Sequence, residues 1–520
     1  MNLRLVLRQL GLLLLVLGGC LGAVTGVEAA QWEGGSLAEP RATLALGVSM
    51  VISGGLGGTL YLLCRPRREL EHVAELPGRR EALLLVALSW AVGGAVSAVP
   101  YFLWANLVAA GGATDGHPFE SAVRCYFEAV SGLTTTGASV LSDIEALPRG
   151  ILLWRSLTQW LGGLGIVVLF VAVLPTLGVG GKKLFQAEAP GPTQPGVRPR
   201  IRDTARALWL IYLGLTVALT LLLWSLGMTL FDAVCHTFTT LATGGFSNYN
   251  ASVAHYDSAA IDLVVVLFMV FAGINFGLYY QVLRGRFKGV WKDPELRLYL
   301  GLLLGAGFVV AGAIYGTSFT TLGGKQVDAG AWEAIRYGLF QVASIHTSTG
   351  YATADFDQWA FLPQAVLVTL MFIGGSAGST AGGIKVIRVL VVFRVLVAEI
   401  EKAFRPTVVR PIKVGKAAVS PELRQALLVY VLTVLALFGL GAVALMLLEP
   451  AGAIDFTTAA TAAAATLNNI GPGLGMVGPT NNFGFFSEPS LAVMTVLMVL
   501  GRLEVYAVLA LLLPRFWTAE

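Results

Sequence analysis

Thr134-Thr135-Thr136-Gly137 comes back three times in altered form, as Leu241-Ala242-Thr243-Gly244, Thr347-Ser348-Thr349-Gly350 and Asn468-Asn469-Ile470-Gly471. From glycine to glycine the steps are 107, 106 and 121 residues. Each small polar run follows an apolar segment too short to cross a bilayer and precedes one long enough to do so. One Thr-Gly run alone reads as a plain loop; four set alike read as a fourfold internal repeat. A run of small polar residues ending in glycine suits a backbone that leaves helical geometry and presents its carbonyls. Four such backbones around one axis would form a carbonyl-lined ion site.

The rest of the chain agrees with that setting. Of its 520 residues 56% are apolar and 13% charged, and the mean hydropathy of +0.74 excludes a soluble multidomain protein. Mainly apolar segments near 5–26, 41–64, 81–108, 151–178, 205–228, 259–283, 297–316, 361–398, 423–448 and 489–513 predict ten spans. The expected architecture is an all-α polytopic membrane protein. Four helix, half-helix, turn, helix units (76–180, 181–290, 291–402 and 403–520) surround one pore, and a two-helix accessory unit (1–75) stands outside the repeat.

Positive residues mark the cytoplasmic side of a membrane protein. With the N-terminus inside, 28 of the 35 lysines and arginines flank cytoplasmic span ends, from Arg4 and Arg8, through Arg65, Arg67, Arg68, Lys182, Lys183, Arg198, Arg200, Arg284 and Arg286, to Lys385, Arg388, Arg410, Lys416 and Arg515. Both termini are therefore predicted to be cytoplasmic, with the basic loop ends serving topology and lipid headgroups and not nucleic acid. A cleaved, lipid-modified signal ending at Cys20 is the alternative for the N-terminus. It would remove one span and spoil the agreement between loop charge and topology.

Each predicted half-helix starts with an acid, at Glu120 after Pro118-Phe119, at Asp232, at Glu333 and at Asp455. An acid there suits the helix dipole, whose negative end then points into the membrane toward a cation. Backbone that leaves a helix at that depth needs protein or a water-filled cavity around it, so four such turns imply a shared aqueous pore.

Two features break the repeat. Five glycines fall within the ten residues from Gly374, Gly375 and Ser376 through Gly378 and Ser379 to Gly382 and Gly383. At about 1 kcal/mol per glycine relative to alanine they bias the chain against a continuous helix by around 5 kcal/mol. The reading is a loop beneath the ion site that obstructs permeation; close helix packing on small residues is the alternative. Arg502 lies mid-span, where a charge is costly unless it faces a cavity or a partner. It is read as pore-facing, with a structural ion pair to a carboxylate of another helix as the alternative. Glu504, two residues on, points elsewhere.

No enzyme signature is present. His72, His117, His236, His255 and His346 form no metal-ligand spacing, and Gly178–Lys183 lacks the spacing of a phosphate loop and reads as a helix end. Lone histidines such as His236 and His346 are expected to pack or satisfy polar neighbours. Cys20, Cys64, Cys125 and Cys235 pair with nothing by spacing.

These stretches, with Ser156-Leu157-Thr158-Gln159-Trp160-Leu161-Gly162-Gly163-Leu164-Gly165, the Gln186–Pro192 linker and Gly501-Arg502-Leu503-Glu504, resemble the Trk/Ktr/HKT superfamily over nearly the whole length. The two extra N-terminal spans favour its TrkH-like members, the membrane subunits of bacterial Trk potassium uptake systems, over the Ktr type. The resemblance implies that carbonyls of Thr135, Thr136 and Gly137, of Ala242, Thr243 and Gly244, of Ser348, Thr349 and Gly350, and of Asn469, Ile470 and Gly471 bind K+. It implies that Gly374–Gly383 is an intramembrane gate that Arg502 helps close. It also implies a homodimer in the bacterial inner membrane, governed by a cytosolic nucleotide-binding subunit of the TrkA type, with NAD or ATP on that partner and no cofactor on this chain. A sodium-selective or ion-coupled transporter of the same architecture is the rival. Ile470 supplies no hydroxyl, so the filter would be only pseudo-fourfold.

Overall fold

The computed structural model describes residues 1–30, 38–65, 78–110, 116–172, 201–408, 411–415 and 417–518. The Gly178–Lys183 run, the Gln186–Pro192 linker and the basic residues Arg67, Arg68, Lys182, Lys183, Arg198, Arg200, Arg410 and Lys416 lie outside the described residues.

A chain that must satisfy its own backbone in lipid has helices as its main option, and helices are what it forms. The first two, α1 (Leu3–Ala30) and α2 (Ala38–Leu63), run antiparallel and touch through glycines. A Cβ on Gly57 would come within 2.8 Å of the Gly11 carbonyl and the Leu15 amide. The Ser53 hydroxyl crosses the same contact to the Leu14 carbonyl at 2.7 Å. Small residues let the backbones approach where lipid offers no hydrophobic drive for association. Buried Glu28 of α1 then accepts from the Gly150 amide at 2.6 Å, at the start of α5 (Arg149–Ala172), docking the accessory pair on the main body.

The main body repeats one plan. Long helices α3 (Arg79–Ala109), α6 (Ile201–Ser225), α10 (Pro294–Ile314) and α14 (Pro421–Leu448) each precede a short one: α4 (Ala122–Leu133), α7 (Leu230–Leu241), α11 (Ala331–His346) and α15 (Phe456–Leu467). At 12 residues, or 16 for α11, these helices are about 18–24 Å long, too short to cross a hydrocarbon core of about 30 Å. The short helices are interior elements: Ala459, Ala462, Ala463, Ala464 and Ala465 of α15 are all buried. The long ones show large apolar side chains outward, such as Leu213, Val217 and Leu221 on α6 and Leu432, Leu435 and Leu440 on α14, as a lipid-facing surface requires. A small antiparallel hairpin, β1 (Ser318–Thr320) with β2 (Gln326–Asp328), fills the connection from α10 to α11.

After each short helix the chain turns and enters a second long element, and here the structure corrects the sequence reading. The segment 259–283, expected as one span, is two helices, α8 (Ala259–Ala272) and α9 (Phe276–Leu283), meeting at 93°. Asn275 accounts for the restart, its side chain accepting from the Gly277 amide at 2.9 Å. The segment 489–513 bends by 110° between α16 (Glu488–Arg502) and the helical stretch Tyr506–Leu512, through Glu504 and Val505 at φ 55° and 62°. The third, α12 (Phe361–Phe372) and α13 (Val386–Phe404), is interrupted at the expected glycine-rich stretch. Among the described residues six helices are long and apolar enough to cross a membrane, and up to eight if each bent pair is one span, against the ten expected.

Replacing Gly57 by Leu is expected to push α1 from α2 and cost about 1–3 kcal/mol, as overpacking at a close backbone contact does. A lower melting temperature of the purified protein in detergent, with Gly58→Leu, which meets open space, as the unaffected control, checks it.

Candidate functional site

All four short helices end in one geometry. The C-cap residues are Thr134, Ala242, Thr347 and Asn468, and the next residue is in each case left-handed without being glycine: Thr135, Thr243, Ser348 and Asn469, at φ 54°, 53°, 55° and 55°. The amide after that folds back on the helix, with Thr136 N–H to Ser131 O at 2.8 Å, Gly244 to Thr239 at 2.9 Å, Thr349 to Ser344 at 2.8 Å and Ile470 to Ala465 at 2.9 Å. These are Schellman closures, which satisfy the last carbonyls of a helix. Glycine would normally hold the left-handed place; a β-branched threonine there is a strained choice.

Two residues past each left-handed residue stands a glycine, again at positive φ: Gly137 at 81°, Gly245 at 76°, Gly350 at 81° and Gly471 at 99°. The structure therefore places the second turn one residue later than the expected Ala242, Thr243 and Gly244. Its triplet is Thr243, Gly244 and Gly245, and Ala242 is the helix cap. The physical reason lies in the adjacent glycines, since only Gly245 takes the conformation and contacts of Gly137.

Those contacts close a ring. A Cβ on Gly137 would strike the carbonyl oxygen of Gly244, one on Gly245 that of Thr349, and one on Gly350 that of Ile470; on Gly471 it would lie 2.8 Å from that of Thr136. Every turn thus lays one carbonyl against the glycine of its neighbour, and the fourth returns to the first. Gly137, Gly245, Gly350 and Gly471 together line one cavity. At the far ends of the short helices only two of the four acids stand where they are expected. Asp232 and Glu333 stand in first turns. Asp455 is itself an N-cap, its carboxyl held below the usual carboxylate range by the Thr458 hydroxyl and amide. Glu120 lies in a separate 3-10 turn, Pro118–Glu120, ahead of Ser121, which caps α4.

Beneath the ring lies the interruption between α12 and α13. Ser376, Ser379 and Thr380 are buried, and Gly378 and Gly383 adopt φ 72° and 68°. The loop holds to three turns from below. Thr380 donates through its hydroxyl to Leu241 O at 3.0 Å, and the Gly382 amide donates to Ser348 Oγ at 2.5 Å. A Cβ on Gly382 would run into the Asn468 carbonyl. Gly374 and Gly375 face Gly382 and Gly273 with no room for a side chain. Arg502, 3% exposed, donates to Thr380 O at 2.8 Å and Gly162 O at 3.1 Å. Among the described residues it forms no ion pair, while Glu504 pairs with Arg388 at 2.5 Å.

Against this geometry, the family model TrkH, a cation transport protein, matches residues 113–516. The chain belongs to the TrkH family. Similar members include the Trk system potassium uptake protein TrkH of Salmonella typhimurium, 36% identical over 532 residues and covering 99% of this chain and 100% of that one. That of Halomonas elongata is 38% identical over 525 residues with the same coverage. The crystal structure of the potassium transporter TrkH from Vibrio parahaemolyticus superposes with a TM-score of 0.84 at 33% identity over 100% of both chains.

In this TrkH family member His236 and His346 make the polar and packing contacts expected of lone histidines. His236 is held between Asp232 O and Ser247 Oγ, His346 meets Ile373 O at 2.8 Å and stacks on Tyr299, and the four cysteines are free. Gln159 was not singled out as a site residue. Its amide donates to Gly244 O at 2.7 Å and accepts from the Phe246 amide at 3.1 Å, holding the second turn from behind. A buried glutamine inside an apolar helix was the signal available in the sequence.

The corrected register has a direct consequence. Gly245→Ala places a Cβ at positive φ against a neighbouring backbone, whereas the nearest atoms to a Cβ on Gly244 belong to the Gln159 side chain. Gly245→Ala should therefore cost about 1–2 kcal/mol more, the scale of forcing a side chain into left-handed geometry. Thermal unfolding of the two variants in detergent checks this, and equal losses would return the turn to the sequence register.

Proposed function

We propose that the chain takes up potassium across the cytoplasmic membrane along the axis of the four turns. The closed ring of carbonyls and glycines carries this reading, and the relatives described as potassium uptake proteins support it. The filter residues are Thr135, Thr136 and Gly137; Thr243, Gly244 and Gly245; Ser348, Thr349 and Gly350; and Asn469, Ile470 and Gly471. K+ is the transported substrate, and carbonyls from four turns replace part of its hydration shell. The bent or broken second spans complete four pseudo-repeated units around that axis. In a membrane the protomer works as a homodimer with both termini cytoplasmic, under a cytosolic subunit of the TrkA type that binds NAD or ATP.

The loop from Gly374 to Gly383 is the gate, and Arg502 is its latch. What supports this is its place under three turns and the two carbonyl bonds from Arg502, one of them to the loop itself. The partner's nucleotide can matter only by shifting the loop between two populated arrangements.

Potassium or rubidium flux into proteoliposomes under an imposed gradient is the expected result; no flux with or without the cytosolic subunit would defeat the reading. Gly137→Ser or Gly350→Ser, by crowding the ring or turning its carbonyls, should reduce potassium-over-sodium discrimination by roughly tenfold. A sodium-preferring wild type would favour the rival transporter instead. Trimming the loop, or Arg502→Ala, should raise flux per folded protein in the absence of the cytosolic subunit. A fall in both would rule out the gate.

A further inference from the structure

Behind the first turn lies a buried ion pair. Glu128 of α4 is fully buried and Arg155 of α5 is 1% exposed. Arg155 places both Nε (3.0 Å) and an Nη (2.7 Å) on the same Glu128 oxygen, Oε1. That oxygen also accepts from Ser139 Oγ at 2.9 Å, while Oε2 accepts from the Val140 amide at 3.0 Å. Ser139 and Val140 follow Gly137 by two and three residues, so the carboxylate fixes the strand leaving the first turn.

Arg155 also reaches the second turn. Its guanidinium lies 4.1 Å from the centre of the Phe246 ring and its remaining Nη is 3.4 Å from Ser247 O. Phe246 and Ser247 follow Gly245 by one and two residues. One pair therefore spans two neighbouring exit strands, immediately past Gly137, which faces the second turn, and Gly245, which faces the third.

The other units carry only local versions of this brace. Six residues before each helix cap stand Glu128, His236, Gln341 and Ala462. His236 meets Ser247 Oγ at 3.1 Å, the counterpart of Ser139. Gln341, with its amide oxygen turned to the chain, accepts from the Thr353 amide at 2.8 Å, the counterpart of Val140. Where Ala462 has nothing to offer, the neighbouring Thr461 hydroxyl accepts from the Leu474 amide at 2.9 Å. Each of these ties one turn to its own helix. Of these four braces the charged pair also reaches a neighbouring turn, where other seams are bridged by Asn469 to Thr136 Oγ1 and by the Tyr351 hydroxyl to Thr239 and Thr240.

We infer that Glu128 and Arg155 are positioning residues that fix the spacing of the first and second turns and so set which alkali cation the ring accepts. The pair touches no ion; it acts by holding backbone. Charge-assisted bonds in a buried site resist displacement better than neutral ones, and a ring that must distinguish cations of similar size needs its carbonyls held, not merely present. Arginine is suited because its planar fork serves Glu128, an aromatic face and a carbonyl at once, which a lysine cannot do. The inference rests on the filter reading above.

The test is the rubidium-to-sodium flux ratio of the full chain in proteoliposomes, per folded protein, for Glu128→Gln and Arg155→Lys, with Gly137→Ser alongside. Arg155→Lys keeps the charge on Glu128 and loses the reach to Phe246 and Ser247. Both pair variants should lower the ratio by roughly tenfold, the scale on which contacting residues couple. A ratio unchanged in folded pair variants, even with a lowered melting temperature, assigns the pair to packing and overturns the inference. If neither folds, Phe246→Leu, which leaves the ion pair intact, decides by the same ratio. Should Gly137→Ser be silent as well, the failure belongs to the filter reading; should it alone change the ratio, only the brace is wrong.

Discussion

A helix that stops halfway through a bilayer leaves its last carbonyls where water cannot reach them from the lipid, and the rest of this structure follows from how that constraint is met. Each of four short helices folds its own backbone back in a Schellman closure, which absorbs carbonyls of the last turn and throws the next residues out as extended chain. The closure demands one left-handed residue, and the chain supplies Thr135, Thr243, Ser348 and Asn469. Their side chains are all buried. Asn469 shows what is gained in return, donating to Thr136 Oγ1 at 2.9 Å in the neighbouring turn and to Met498 O at 3.0 Å in the helix behind it. A glycine would relieve the strain and lose both bonds.

Closure of the helix ends also dictates where glycine is indispensable. The left-handed places tolerate small polar side chains because they face protein; the later positions, Gly137, Gly245, Gly350 and Gly471, face a neighbouring turn's backbone. The same need returns in the second spans. A Cβ on Gly162 would meet the Leu133 carbonyl and one on Gly501 the Leu467 carbonyl, the last residues of α4 and α15. Close approach to the short helices at both levels leaves no space for side chains, so glycine marks the axis from above and from the flank.

The sequence showed the repeat, the polar turns, the glycine-rich interruption and the burial of Arg502, because each is a strong local departure from its surroundings. It misplaced the second turn because Thr243-Gly244-Gly245 offers two glycines and composition cannot say which takes positive φ. It missed the bends at Gly273–Asn275 and Leu503–Val505, where one glycine, one asparagine or no breaker at all interrupts a long apolar run; tertiary contacts override helix propensity there. The Glu128–Arg155 pair was out of reach for another reason. Its partners are 27 positions apart, on different helices, and only the packing of α4 on α5 brings them together.

The interruption in the third second span draws these parts into one mechanical unit. Arg502 comes from the fourth unit, bonds Thr380 in the third and Gly162 in the first, while the Thr380 hydroxyl bonds Leu241 in the second. Two side chains therefore connect all four units directly beneath the ring. The loop cannot leave its place without freeing a buried guanidinium from one carbonyl, and a hydrogen bond to a charged group contributes about 1.5–3 kcal/mol. Adding the amide bond to Ser348 and the hydroxyl bond to Leu241, at about 1 kcal/mol each, gives a total of about 3.5–5 kcal/mol. A coupling free energy of 1–3 kcal/mol from one bound effector falls short of that sum. On the gating reading, displacement of the loop therefore requires new bonds for Arg502 in place of the old ones.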